Sequence, residues 1–194
     1  MRYDYRKVAG ALVFVGGSQF VVGMLVAEAL YPGYSISQNY ISDLGVGPSA
    51  IVFNSSVFLL GLMVVVSAYF VHSSFRNHLV TILLVLAGVG AMGVGVFPEN
   101  SPAMHEMVSD IAFIFGGLLP IAACKLVRKP FSYLSVAMGV LSLSAMVLLS
   151  AQYSFSLGDQ YYLGLGPGGM ERMIAYPVLL WEVAFGGHLM ASSQ

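Results

Sequence analysis

Charge is the scarcest thing in this chain. Only 9% of its 194 residues are Asp, Glu, Lys or Arg, where soluble domains carry about a quarter. Eight basic and nine acidic residues leave a formal net charge of −1, so the basic surface on which nucleic-acid binding rests is missing and no nucleic-acid partner is expected. Cysteine is nearly absent: Cys124 stands alone, which excludes an internal disulfide and leaves the redox compartment undiagnosed. There is no convincing internal repeat, which weakens an inverted-repeat transporter reading without removing it.

What the chain has instead is apolar length. Hydrophobic residues make up 58% of it, and the mean hydropathy is +0.83. A water-soluble fold of this size has too little interior to hide that much apolar surface, so lipid is the expected solvent. A helix needs about twenty apolar residues to cross a hydrocarbon core of about 30 Å. Runs of that kind lie near 8–30, 51–71, 79–97, 105–126, 131–151 and 171–191. The expected fold is all-α, a single polytopic transmembrane bundle of six helices. The first run follows a basic start but is too long for a secretion-signal core, so it is expected to stay as a mature helix.

The few charges orient the bundle. With both termini cytoplasmic, the inner segments hold Arg2, Arg6, Lys7, Arg76, Lys125, Arg128 and Lys129, leaving only Arg172 outside. The positive-inside rule therefore selects this arrangement, in the cell membrane. Glu28, Asp43, Glu99, Glu106, Asp110, Asp159 and Glu171 fall at or beyond the outer ends. Tyr3, Tyr5, Tyr31, Tyr34, Tyr40, Tyr161, Tyr162 and Tyr176 sit near predicted interfaces, as an anchoring belt does. Inner connections are short and outer ones long and rich in turn residues, so the outer face is the first place to look for function.

Within the spans, Gly88, Gly90, Gly93 and Gly95 mark a close-packing face, as do Gly116-Gly117 and Gly186-Gly187. Such faces suit neighbouring helices or a homo-oligomer. Pro120 and Pro177 free the carbonyls of Gly116 and Met173 and favour kinks. The run Gly164 to Gly169 satisfies G-x-G-x-x-G, but no strand precedes it, and it reads as a flexible turn. Asn54-Ser55-Ser56 matches a glycosylation acceptor at the membrane edge, where modification is not expected.

The segment Met104 to Asp110 carries the first candidate site. Helical spacing sets His105 above Ser109 and Glu106 above Asp110, giving a histidine with carboxylates near enough to orient it or share a metal. The plain alternative is a helix start that tolerates acids. His105-Glu106 is followed by Ser109 where a zincin needs its second histidine, so that motif fails. Asp43, His105 and Asp110 are the candidate catalytic residues, and would be the ligands if a divalent metal binds, the cofactor otherwise being unknown. Ser42 beside Asp43 reads as a turn or cap residue before it reads as a nucleophile.

Glu99, Glu106, Glu171, Arg172 and Glu182 are candidate substrate-binding residues. Arg172 can clamp a carboxylate or a lipid phosphate, or can pair with Asp43, Asp110 or Glu171. Glu182 lies about 16 Å deeper than Glu171 on nearly the same helix face. A carboxyl group at that depth is protonated, paired or open to a cavity, and is a functional candidate by default.

These residues also carry a resemblance. Tyr31-Pro32-Gly33-Tyr34-Ser35, Asn39 to Gly45, Phe97-Pro98-Glu99-Asn100 leading to His105, and Gly169 to Met173 with Trp181 resemble the prokaryotic membrane proteins grouped as DUF998. That resemblance implies six helices and brings no assigned activity with it. Ile41 to Gly45, with His105, is more weakly similar to the Frag1/DRAM/Sfk1 group, whose members are linked to lipid remodelling, autophagy and lipid asymmetry. Ceramidase-like hydrolases use Ser, Asp and three His, but His72, His78 and His188 are predicted at the inner side here, away from His105.

The leading expectation is a bundle that binds or modifies a membrane lipid or other amphiphile at an outer polar site. A small proton-coupled transporter using Glu182 is the second, and a non-catalytic scaffold the third. The sequence does not decide whether the protein is an enzyme.

Overall fold

The computed structural model describes residues 4–155 and 164–191. Arg2, Tyr3, Asp159, Tyr161 and Tyr162 lie outside those residues. Six long helices form: α1 (Tyr5–Leu30), α2 (Ala50–Phe75), α3 (His78–Val96), α4 (Pro102–Ala123), α5 (Phe131–Phe155) and α6 (Gly166–Ala191). All are long and apolar enough to cross a membrane, and no strand occurs among the described residues.

The helix ends have local causes. Asp4 caps α1 by accepting the Arg6 and Lys7 amides at 3.1 and 3.4 Å, and the Asn77 side chain caps α3 through the Val80 amide at 3.1 Å. Pro102 opens α4 where an amide hydrogen would have no partner anyway.

Each helix packs on the next, and α6 returns to α1, so the bundle closes into a ring. Glycines set the close approaches. Gly10 faces the Gly186 carbonyl across α1 and α6, Gly61 and Gly88 face each other across α2 and α3, and Gly90 lies against Ala112 of α4. Most of the glycine faces expected to mediate packing are thus engaged within the chain, where dispersion replaces the hydrophobic drive. Polar bonds add to it between α5 and α6: Ser142 donates to the Ile174 carbonyl at 2.7 Å and Trp181 Nε1 donates to Ser135 Oγ at 2.9 Å.

The outer surface of the ring is apolar. Leu180 is 63% exposed and Val147 68%, while Trp181 beside Leu180 is 2% exposed. That inversion is what a lipid solvent permits and water does not. At one end of the ring, α1, α3 and α5 finish and α2, α4 and α6 begin; this acidic end holds Glu28, Asp43, Glu99 and Glu171. The opposite, basic end holds Arg6, Lys7, Arg76, Lys125, Arg128 and Lys129.

One sequence expectation changes here. Gly166 to Gly169 is the first turn of α6 rather than a flexible turn. Pro167 has the preset φ of a helix start. The Gly168 amide donates to the Ser37 carbonyl at 3.1 Å, and a Cβ at Gly168 would collide with the Asn39 and Ile36 carbonyls.

Candidate functional site

The segment joining α1 to α2 folds back over the acidic end. Its geometry is local: the Ser35 amide donates to Asn39 Oδ1 at 3.0 Å, Asn39 Nδ2 to Asp43 Oδ2 at 2.8 Å, and the Tyr40 amide to the same oxygen at 3.1 Å. Asp43 therefore organises its own loop, and Ser42 starts the short 3₁₀ turn Ser42–Gly45. Ser49 Oγ closes the segment on the Leu44 carbonyl at 2.8 Å.

Arg172 holds that segment down. It is 5% exposed and makes an ion pair with Glu28 of α1 at 2.7 Å. The same guanidinium donates to Tyr34 Oη at 2.6 Å and to the carbonyls of Ile36, Asn39 and Gly168 at 3.0, 3.4 and 3.1 Å. The phenol in turn donates to the Tyr40 carbonyl at 2.9 Å. Burial pushes the Tyr34 hydroxyl up to about 12, outweighing the opposite pull of Arg172. The ion-pair partner is Glu28 rather than Asp43, Asp110 or Glu171, and Arg172 works as an internal staple. The sequence hinted at this only through its lone cation at the acidic end; Tyr34 and Asn39 carried no individual signal.

Behind the stapled loop lies a chamber of about 670 Å³. Glu99, His105, Glu106, Asp110 and Glu171 line it, with Ser42 and Ser109. Asp43 stands near Glu99, and burial together with this second carboxyl pushes Glu99 up to about 7. Glu171 is 7% exposed and accepts the Ile41 amide, which ties α6 to the loop a second time. Among the described residues, neither Lys nor Arg lines the chamber.

His105 bridges two helix ends. Its Nδ1 lies 2.8 Å from the Phe97 carbonyl and its Nε2 lies 3.3 Å from Ser109 Oγ. A carbonyl only accepts, so Nδ1 carries the proton and Nε2 of the neutral ring accepts from Ser109. The ring is thus oriented by backbone rather than by a carboxylate. No three His, Cys, Asp or Glu side chains among the described residues come together as a metal-holding group, while His105 and Asp110 line the same chamber. His72 and His78 pack ring to ring, centroids 4.9 Å apart, at the basic end, and His188 packs on Phe131 there too.

A second cavity of about 110 Å³ continues toward the middle of the bundle. Its walls are apolar, with Phe20, Phe53, Val57 and Leu179 among them, and Glu182 lines it. The two cavities share Ser42, Ser109, Phe113, Glu171 and Ile174. Glu182 is 6% exposed, and its Oε2 has no hydrogen-bond partner among the described residues.

Six apolar helices with buried acids and a lipid-compatible exterior define an integral, multi-pass membrane protein. The model of the family described as protein of unknown function (DUF998) matches residues 14–188, and the chain belongs to that family. No curated protein and no solved structure matches it.

Proposed function

We propose that this protein binds an amphiphile from the membrane, its polar group in the acidic chamber and its apolar part in the inner cavity. One observation carries the reading: the polar and apolar cavities share five lining residues, Ser42, Ser109, Phe113, Glu171 and Ile174. A concave site that is wet at one end and greasy at the other matches a molecule built the same way. His105, whose Nε2 faces Ser109 on the chamber wall, offers a base should the ligand be altered as well as held. The charge asymmetry supports placement in the cell membrane with the chamber outward and both termini cytoplasmic.

Native mass spectrometry of protein released gently from membranes tests this. Wild type retains an amphiphile, and Ser109→Phe, which puts bulk at the junction of the cavities, loses it while staying monodisperse. Equal retention by both proteins, or none by either, refutes the reading; the latter favours a scaffold.

A second reading has its own observation. Glu182, buried on the inner cavity with an unpartnered oxygen, suits a proton-coupled carrier. Substrate flux in liposomes that is unchanged by Glu182→Gln removes it.

A further inference from the structure

We infer that the ligand carries a quaternary or protonated amine within its apolar part, whose charge pairs with Glu182 in the inner cavity while a further polar group stays in the acidic chamber. The inference rests on reading the two cavities as one amphiphile site, and it names the chemical class of the ligand.

The argument starts from the orphaned oxygen. A carboxyl group this deeply buried is costly without a partner, yet Glu182 Oε2 finds none among the described residues. Gly17 of α1 lies directly opposite: even a Cβ built there would stop 3.7 Å from that oxygen. The absence of a side chain at Gly17 leaves that oxygen facing glycine backbone, and Glu182 itself lines the cavity. Among the described residues no Lys, Arg or His lines the inner cavity, so any complementary charge arrives with the ligand.

The surroundings favour a cation with a greasy body. Phe20, Phe53 and Phe113 line the cavity, and aromatic faces attract alkylammonium groups. The approach is consistent with this too, because it runs through a chamber lined by Glu99, Glu106, Asp110 and Glu171 and, among the described residues, by neither Lys nor Arg. Such a mouth concentrates cations and repels anions. Arg172 is not among the described residues lining either cavity, and its two terminal nitrogens donate to Glu28, Tyr34 and three carbonyls, which leaves them turned away from an anionic headgroup.

Equilibrium dialysis of radiolabelled benzyltrimethylammonium against the purified, detergent-solubilised chain tests the class. Wild type and Glu182→Asp bind it saturably, and Glu182→Gln, with its Trp181 emission unchanged, binds about tenfold or more weakly. Neopentylbenzene, the neutral isostere, does not compete. Absence of saturable binding to wild type overturns the inference, as does equal affinity in Glu182→Gln or full competition by the neutral isostere. If native mass spectrometry shows a retained amphiphile while the cation fails to bind, the ligand class is wrong and the amphiphile reading stands. If both fail, both readings fall.

Discussion

Replacing Arg172 by Leu should be the most destabilising single change at the acidic end. The substitution leaves Glu28, whose side chain is 14% exposed, as a largely buried carboxylate without its cation. Breaking a buried pair from one side costs about 3–5 kcal/mol. Tyr34 Oη and the carbonyls of Ile36, Asn39 and Gly168 lose a donor at the same time, which puts the expected loss at the upper end of that range. For a chain of this length the loss corresponds to a fall in Tm of roughly 6–20 °C. Trp181, the one tryptophan, reports unfolding in detergent by its fluorescence. The double variant Glu28→Leu with Arg172→Leu removes the stranded charge and should recover part of the loss. Limited proteolysis gives a second readout, since the segment 31–41 should become cleavable in Arg172→Leu. A Tm within about 2 °C of wild type, or a double variant as unstable as the summed single ones, would show that the staple does not hold the loop.

Stability should also depend on pH through Glu99. Its folded pKa of about 7 lies above the ordinary 4.5, so the folded chain holds a proton that the unfolded chain gives up. This contribution is fully present below about 4.5 and is lost as pH rises through 7; Tm measured across that window should decline in wild type and decline less in Glu99→Gln. Gly168→Ala forces a methyl group against the Asn39 and Ile36 carbonyls and should cost about 1–3 kcal/mol. Gly187→Ala, where nothing lies within 4 Å, should leave the melting curve in place; identical behaviour of the two variants would contradict the packing at α6. On a Cys124→Ser background, Gln38→Cys should react with an impermeant maleimide added to intact cells and Arg128→Cys only after lysis. The reverse pattern would invert the assigned orientation.

The helices were legible in the sequence because each one depends on a run of apolar residues that lipid can solvate. Even so, α6 begins at Gly166, before the apolar run, because Pro167 favours a helix start and the neighbouring loop carbonyls receive Gly168. The acids Glu99, Glu106, Asp110 and Glu171 were visible as candidates, and they do share one chamber. Asp43 turned inward to its own loop, and Arg172 took a partner that charge counting did not single out. The depth of Glu182 followed from helical rise, whereas its unpartnered oxygen depended on Gly17 lying opposite.

The amino-acid order by itself determined that this chain has six lipid-length helices and that one end of the bundle is acidic and the other basic. Those are properties of about twenty residues at a time. Tertiary structure decided that α6 closes the ring on α1, that Arg172 meets a glutamate 144 residues away, and that a polar chamber opens into an apolar one. Such pairings depend on which helices become neighbours in space, and helix neighbours are chosen by packing across the whole bundle rather than by any local stretch of sequence.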